Sequence, residues 1–280
     1  MTARFRYEDV TQDGRAILTA LPLGVSLTAW EQLILPDPRW KTLLGRGVLP
    51  ILHRLVIEGG DSPVSVGRPF EVRGCYQLAH TVDGGGEVNR LLLNIWCETT
   101  APIGRTYGPP PPNAGEITVV GRVRAEHVIT RPLGAKDQRK VLRLDVEGLP
   151  AVPPTRMTVA PAEQLISIPR GAELIDETLL PDEAPLLFGL VHTDSNQHVN
   201  SLVFLRSFEE AALRRLAAHG RATKLLARRA EIAFRKPFFA GERARIHLQA
   251  FSLEGRLGAL GTFTGEPPAS PHSFVRMMFG

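Results

Sequence analysis

One short segment of the 280-residue chain concentrates side chains that can do acid–base chemistry. Residues 192–200 read HTDSNQHVN and carry one carboxylate, two imidazoles and three side-chain amides. The segment lies between a predicted strand and a predicted helix, where unpaired backbone N–H groups and the positive end of the helix dipole meet. A carboxylate or an imidazole can activate water there, and amide donors can stabilise an oxyanion. These are the parts that acyl transfer needs.

The same residues also have a purely structural interpretation. Asp194 or Ser195 can serve as a helix N-cap, and Asn196 as a turn residue. His198 would then be an exposed residue of the first helical turn. Residue types alone leave both interpretations open.

Hydrophobic periodicity predicts the elements that position this segment. A strand is predicted at 184–191 and a helix at about 199–219, in which apolar residues recur along one stripe at helical spacing. Further strands are predicted at 230–234, 243–251, 257–263 and 273–279.

The first half of the chain has the same order of elements. An irregular strand is predicted at 15–30, followed by a kinked, buried helix at 38–58 that contains Gly45, Gly47 and Pro50. Strands are then predicted at 70–81, 88–99 and 117–130.

A proline-rich segment at 148–169 separates the two halves and excludes a long helix there. We therefore predict a first unit at 1–150 with the substrate pocket, a linker at 151–164, and a second unit at 165–280 with the catalytic segment. One long helix laid on a curved antiparallel sheet, twice in tandem, is the double hotdog arrangement. The predicted fold class is α+β.

Residues 192–211 (HTDSNQHVNSLVFLRSFEEA) resemble the acyl-ACP thioesterases of plants and bacteria. That family carries D-x-N-x-H-V-N-N, then an aromatic residue and a helix ending in Glu. The matching residues are Asp194, Asn196, His198, Val199 and Asn200, with Ser201 in place of the second Asn, Phe204 as the aromatic residue, and Glu209 and Glu210 on the helix. Asp194 also lines up with the helix-start carboxylate of 4-hydroxybenzoyl-CoA-thioesterase-like hotdog proteins.

The resemblance implies hydrolysis of an acyl-ACP or acyl-CoA thioester, and we expect no metal and no cofactor. Asp194 would orient or activate the attacking water, or attack the carbonyl itself. Asn196 would bind the thioester oxygen, and His198 would shuttle protons because an ordinary histidine pKa lies near 6.5. Asn200 would tether the loop. His192 is either structural or in contact with the substrate.

The chain departs from the family on the next strand. Plant members place an acidic residue after a Tyr-Arg-Arg run, whereas this chain has Pro237 there, and Glu231 or Glu242 would have to replace it. Two other functions therefore stay open: a hotdog dehydratase or isomerase, and a non-catalytic acyl-thioester-binding protein. The H-x-x-x-G-x-x-x-x-P pattern of the dehydratases is absent, and His53 is expected to be a packed histidine.

Composition limits the setting in which the protein works. Hydrophobic residues make up 43% and charged residues 22%, which is typical of a globular protein. No apolar stretch approaches the ~20 residues of a membrane span, and acidic residues interrupt the N-terminus where a secretory signal would be apolar. We expect a cytoplasmic protein with no membrane partner, in which Cys75 and Cys97 are buried free thiols.

The net charge of +4 is too small to indicate nucleic-acid binding. The most basic segment contains Arg214, Arg215, Arg221, Lys224, Arg228 and Arg229. It is either a solvated helix end or a docking site for an acidic acyl carrier protein or the phosphate of a pantetheine arm. Because a double unit already supplies the partner of a single hotdog domain, we expect a monomer of two units or a homodimer.

Overall fold

A computed structural model describes residues 2–266 and 270–280. The chain divides into two compact units, the first comprising Met1–Ala16, Ala20–Leu55 and Gly60–Ala160, and the second Ile17–Thr19, Val56–Gly59 and Pro161–Gly280. The proline-rich segment before residue 160 runs beside His80 of the first unit. The His80 N–H donates to the Thr155 carbonyl at 2.9 Å, and the Met157 N–H donates to the His80 carbonyl at 2.9 Å.

The first unit is built on a β-sheet. Its strands are β1 (Thr2–Arg4), β2 (Leu49–Gly59), β3 (Pro69–Val82), β4 (Val88–Pro102) and β5 (Ile117–Thr130), of which β2 contributes Leu49–Leu55 and ends in the second unit. They lie in the order β1-β3-β4-β5-β2, and the pairs β1–β3, β3–β4 and β4–β5 are antiparallel. The strands predicted at 70–81, 88–99 and 117–130 are confirmed.

The helical part of the first unit begins earlier than predicted. A 3-10 turn at Leu18–Ala20 precedes helix α1 (Leu23–Val25), which continues as a π-helix over Ser26–Ile34. The strand predicted at 15–30 is therefore wrong. Leu21, Val25 and Ala29 are buried at intervals of four residues, which is the spacing of a helix face and not of a strand.

The long helix predicted at 38–58 is wrong beyond its first two turns. Helix α2 covers Pro38–Gly45, and Asp37 caps it by accepting from the Arg39 N–H at 2.9 Å. Gly47 has a φ of +69°, the left-handed conformation that commonly ends a helix at glycine. The chain then continues as β2, so the first unit carries short helical segments instead of one long helix.

The π-helix packs closely on the sheet at Gly74. A Cβ at Gly74 would collide with the side chain of Thr28, whose Oγ1 donates to the Gly24 carbonyl at 2.7 Å. The Trp30 ring meets the imidazole of His127 on β5 edge-to-face, with ring centroids 5.7 Å apart. Small residues thus let this helix approach the strands closely.

The second unit also consists mainly of antiparallel strands. Its strands are β6 (Glu173–Leu174), β7 (Leu180–Pro181), β8 (Leu186–Leu187), β9 (Ala227–Phe234), β10 (Arg243–Leu253), β11 (Arg256–Gly265) and β12 (Ser273–Phe279). They lie in the order β9-β12-β11-β10-β6, and β7 and β8 also pair with β10. The four strands predicted after residue 230 are confirmed. The strand predicted at 184–191 is confined to β8, because Pro185 and Gly189 flank it.

Helix α3 (Ser201–Ala218) confirms the helix predicted at about 199–219. Its last turn is held by Asp176, whose side chain is 1% exposed. The Asp176 carboxylate accepts from the His219 Nε2 at 2.7 Å, from the Arg215 Nη1 at 3.4 Å and from the Ala250 N–H at 2.7 Å. One buried carboxylate therefore joins the end of α3 to β10.

The two cysteines differ in their surroundings. Both are free, but only Cys97 is buried, so the expectation of two buried thiols is wrong for Cys75, which is exposed on β3. Burial raises the pKa of the Cys97 thiol to about 12.

Among the described residues, no single helix has the length and hydropathy needed to cross a membrane. Leu18–Ile34 and Pro38–Gly45, which meet at 99°, reach that length and composition only when they are counted together.

We expect His127 to make the stability of the protein depend on pH. The imidazole is 6% exposed, and burial lowers its pKa to about 4 from an ordinary value of 6.5. Between these values the unfolded chain binds a proton that the folded state excludes. The free energy of unfolding is therefore fully retained above pH 6.5 and falls as the pH drops toward 4, by on the order of 3 kcal/mol in all.

Urea denaturation of the wild type and of His127→Gln, at about pH 7 and about pH 4.5, checks this expectation. The variant should lose less stability than the wild type over that interval, whatever its stability at neutral pH. An equal loss in both proteins would contradict the burial of a neutral imidazole.

Replacement of Asp176 should destabilise the second unit. Asp176→Ala would leave the Arg215 guanidinium and the Ala250 N–H without their buried acceptor, which costs about 3 kcal/mol. Glu177→Ala removes the exposed carboxylate of the next residue and should cost less than about 0.5 kcal/mol. Urea denaturation measures both, and equal losses would show that Asp176 has no special role.

Candidate active site

The polar segment predicted to carry the chemistry forms a closed loop in front of helix α3. Thr193 and Val199 form an antiparallel bridge at its base. Inside the bridge, the Asp194 N–H donates to the His198 carbonyl at 3.0 Å, and the Gln197 N–H donates to the Asp194 carbonyl at 2.9 Å. Asp194 and His198 therefore stand at the two ends of one short loop.

The carboxylate of Asp194 shapes the tip of this loop. Its Oδ1 accepts from the Asn196 N–H at 2.8 Å, which is the Asx turn that aspartate favours. Gln197 follows with a φ of +66°, a left-handed conformation that is uncommon outside glycine. Residues 195–197 are exposed, whereas Asp194 and His198 are partly buried. The side chain of Asn196 thus lies at the exposed tip.

Asn200 is the N-cap of helix α3. Its Oδ1 accepts from the Leu202 N–H at 2.9 Å, and its own N–H donates to the His192 carbonyl at 2.9 Å. The helix begins at the next residue, so the alternative that places the cap at Asp194 or Ser195 is wrong. These two bonds hold the base of the loop against the start of the helix.

The two histidines of the loop have different surroundings. The Nδ1 of His192 accepts from the Gly189 N–H at 2.9 Å, and its ring meets Phe188 edge-to-face at 6.1 Å. His198 precedes the helix instead of lying in its first turn, and its ring packs edge-to-face against Phe239 at 5.2 Å. His192 is thus bonded into the turn before the loop, whereas His198 adjoins a ring that is 43% exposed.

A cluster of phenylalanine rings packs next to the loop. Phe204 of α3 lies 6.1 Å from Phe188, 6.0 Å from Phe238 and 5.1 Å from Phe263, measured between ring centroids. The Phe238 carbonyl accepts from the Val199 N–H at 2.8 Å. The apolar core therefore fixes the backbone at the end of the loop.

Two residues beside the loop were not predicted from the sequence. His272 stacks on Phe238 with ring centroids 4.0 Å apart, and its Nδ1 lies 3.0 Å from the Pro237 carbonyl. Phe239 contacts His198. Phe238 and Phe239 are the one pair of adjacent aromatic residues in the sequence, which is a signal that could have found them. No comparable signal marks His272.

The carboxylates considered as replacements at Pro237 have partners in the structure. The Oε2 of Glu242 accepts from the Phe239 N–H at 2.9 Å. Glu231 lies on β9, opposite Arg276 of β12. Glu242 therefore stabilises the segment that carries Phe239, and Glu231 belongs to the sheet.

Glu209, in the part of α3 that matches the family pattern, is remote from the loop along the helix. Its Oε1 accepts from the Ala227 N–H at 3.0 Å, at the start of β9. Burial is the main cause that raises the pKa of the Glu209 carboxyl group. This contact joins α3 to β9.

The basic segment at 214–229 is largely neutralised within the second unit. Arg214 pairs with Asp182 at 2.5 Å, Arg215 with Asp176 at 3.4 Å, and Arg229 with Glu58 at 2.6 Å. Arg228 is buried, while Arg221 and Lys224 are exposed. The six cations therefore do not form a continuous basic surface.

The loop combines a carboxylate, an imidazole and an exposed amide next to a helix N-terminus. Such a set can move protons and stabilise a developing oxyanion. Within residues 2–266 and 270–280, no three His, Cys, Asp or Glu side chains come together as metal ligands would.

Asn200→Ala should destabilise the second unit by about 1 kcal/mol, because the Leu202 N–H loses its capping acceptor. Asn200→Ser, which keeps a capping oxygen, should retain most of the stability. Urea denaturation measures the difference, and equal stabilities for the two variants would contradict the capping role.

No protein-family profile and no curated protein matches the sequence. The fold is similar to that of an acyl-ACP thioesterase from Bacteroides thetaiotaomicron, with a TM-score of 0.59 and 14% identity over 100% of this chain and 96% of that chain. A 12:0-ACP thioesterase from Umbellularia californica has a TM-score of 0.60 and 13% identity, over 100% and 96%.

A Lactobacillus plantarum protein provisionally named an oleoyl thioesterase has a TM-score of 0.62 and 13% identity, over 100% of this chain and 94% of that chain. At such identities the likeness concerns the fold and not the chemistry. The chain therefore has a fold like that of the acyl-ACP thioesterases, and the likeness extends over its full length.

Proposed function

We propose that this protein is an acyl thioesterase that hydrolyses an acyl-ACP or acyl-CoA thioester. The observation that carries the proposal is the position of Asp194 and His198 at the two ends of one loop, directly before helix α3. The full-length likeness to acyl-ACP thioesterases supports it, because the names of those proteins state activity on carrier-bound acyl groups.

In the proposed reaction, water attacks the thioester carbonyl, the C–O bond forms and the C–S bond breaks. Asp194 orients or activates the water, and His198 carries a proton from the water to the departing thiolate. Asn196 donates its side-chain amide to the oxyanion. Asn200 holds the loop on the helix, and the bond between His192 and Gly189 favours a structural role for His192.

The bonding of Asp194 suits this role. Within the described residues, only Oδ1 of its carboxylate is hydrogen-bonded, to the Asn196 N–H. The turn therefore fixes the orientation of the carboxylate and leaves Oδ2 for a water molecule. The attack of water on the thioester therefore does not require an additional acidic residue at the position of Pro237.

Apolar residues next to the loop suit the acyl carbons that adjoin the thioester. Leu190 is 81% exposed and Val191 is 90% exposed, in the turn that leads into the loop. Phe239, beside His198, is 43% exposed. Apolar surface of this kind binds hydrocarbon chains by removing both from water.

Finer points of the proposal follow the resemblance. We infer two tandem hotdog units, with the acyl chain bound by the first unit and the chemistry carried out by the second. We further infer that the protein works in the cytoplasm on thioesters of medium or long acyl chains, the class that the names of its structural neighbours state.

Asp194→Asn and His198→Ala should each lower kcat by about 100-fold, because each removes a group that acts in the transition state. The measurement is thiol release from lauroyl and oleoyl thioesters of CoA and of acyl carrier protein. Asp137→Asn is the matched control, because it removes an exposed loop carboxylate from the first unit and should leave kcat unchanged.

Full hydrolysis by both site variants would contradict the assignment. A wild type that dehydrates 3-hydroxyacyl thioesters without releasing thiol would be a dehydratase instead. A wild type that binds acyl thioesters and turns none over would be a binding protein.

A further inference from the structure

A tight turn at residues 239–242 lies beside the candidate active site. Its two ends bond reciprocally: the Glu242 N–H donates to the Phe239 carbonyl at 3.2 Å, and the Phe239 N–H donates to the Glu242 Oε2 at 2.9 Å. Gly241, the third residue, has a φ of +90°, which a type II turn requires at that position. The Glu242 side chain thus closes the turn from within.

Main-chain bonds tie this turn to both sides of the loop. The Gly241 N–H donates to the Phe188 carbonyl at 2.6 Å, and the Phe188 N–H donates to the Glu242 carbonyl at 3.0 Å. On the other side, the Val199 N–H donates to the Phe238 carbonyl at 2.8 Å. The turn therefore bonds to the chain before the loop, and Phe238, the residue directly before the turn, bonds to the residue that ends the loop.

Phe238 and Phe239, at the start of the turn, differ in burial and packing. Phe238 is 1% exposed and is held by the aromatic core, including the stacked ring of His272. Phe239 is 43% exposed, so the core holds it less firmly. Its ring nevertheless meets the imidazole of His198 edge-to-face at 5.2 Å. The conformation of the turn consequently decides where this ring lies.

We infer that Glu242 is a positioning residue of the active site: its carboxylate fixes the turn, the turn fixes the Phe239 ring, and that ring orients the His198 imidazole. The carboxylate already accepts a backbone N–H, so its role differs from that of an acid that exchanges protons with substrate. The consequence for hydrolysis rests on the proposed function, whereas the coupling between Glu242 and His198 does not.

Proton NMR of the His198 ring tests the coupling without substrate. Phe239→Leu removes the aromatic ring and its ring-current effect, and so defines the chemical shifts of an unsupported His198. Glu242→Ala should move the His198 signals most of the way toward those values. Glu242→Gln keeps an oxygen acceptor and should stay near the wild type. Wild-type His198 signals in Glu242→Ala would overturn the inference.

Glu173→Ala is the matched control, because it also removes one exposed glutamate from the second unit. Glu173 lies opposite Ser252, toward the other end of β10 and about 30 Å along the strand from Glu242. The His198 signals of this variant should match those of the wild type. An equal shift in Glu173→Ala and Glu242→Ala would also overturn the inference.

Steady-state kinetics test the consequence for hydrolysis. Glu242→Ala should lower kcat by about 3- to 10-fold with little change in KM, as expected for a lost positioning contact. Glu242→Gln should recover most of the activity. Because both residues act through one contact, adding Glu242→Ala to Phe239→Leu should cause no further loss.

Three kinetic results would overturn the inference: losses that multiply in the double variant, a full kcat in Glu242→Ala, and a loss in Glu242→Gln as large as that in Glu242→Ala. The last result would mean that the charge or the proton of Glu242 matters, and not its hydrogen bond. If the wild type hydrolyses no thioester, the proposed function fails, and the NMR comparison alone decides the positioning role.

Discussion

The burial of Phe204 is the constraint on which the candidate site depends. Its ring lies on α3, one turn after the Asn200 cap, and contacts Phe188 before the loop, Phe238 after β9 and Phe263 on β11. Burying such a side chain contributes about 1.5–3 kcal/mol, and each aromatic pair about 0.5–1.5 kcal/mol more. A single backbone hydrogen bond contributes only about 1 kcal/mol net. The apolar cluster therefore determines where the polar loop is held.

The loop itself is made by contacts of short range along the chain. Asp194 bonds to the backbone of Asn196, and Asn200 bonds to the backbone of Leu202. Such bonds form wherever the local sequence allows them, so they define the shape of the loop but not its location. At the candidate site, local hydrogen bonds set the shape of the polar loop, and the aromatic core fixes that loop against the start of helix α3.

This division explains how far the sequence predicts the fold. Strands β3 to β5 and β9 to β12, and helix α3, are predictable because their apolar residues follow one period over many positions. The first helical segment is not, because Gly24 looks like a break in the sequence. In the structure, a Cβ at Gly24 would come within 2.9 Å of Val72, so glycine is what allows the helix to approach the sheet. At Gly47, by contrast, glycine ends a helix. Only the tertiary structure shows that Gly24 permits close packing whereas Gly47 ends the helix.

For the site, residue types are predictable from sequence and hydrogen-bond partners are not. The polar segment at 192–200 is found by composition alone, but the choice of Asn200 as the cap depends on where the helix begins. The sequence likewise shows where charged residues lie along the chain but not which of them form ion pairs. Arg214 and Arg215 count as a basic patch in the sequence, yet each pairs with an aspartate more than thirty residues earlier in the chain. Their charges are therefore largely cancelled at the far end of α3. At the loop end of the helix, Leu190 and Val191 are exposed in the turn that leads into the loop, so apolar side chains and the exposed polar tip at 195–197 occur within one short stretch of chain.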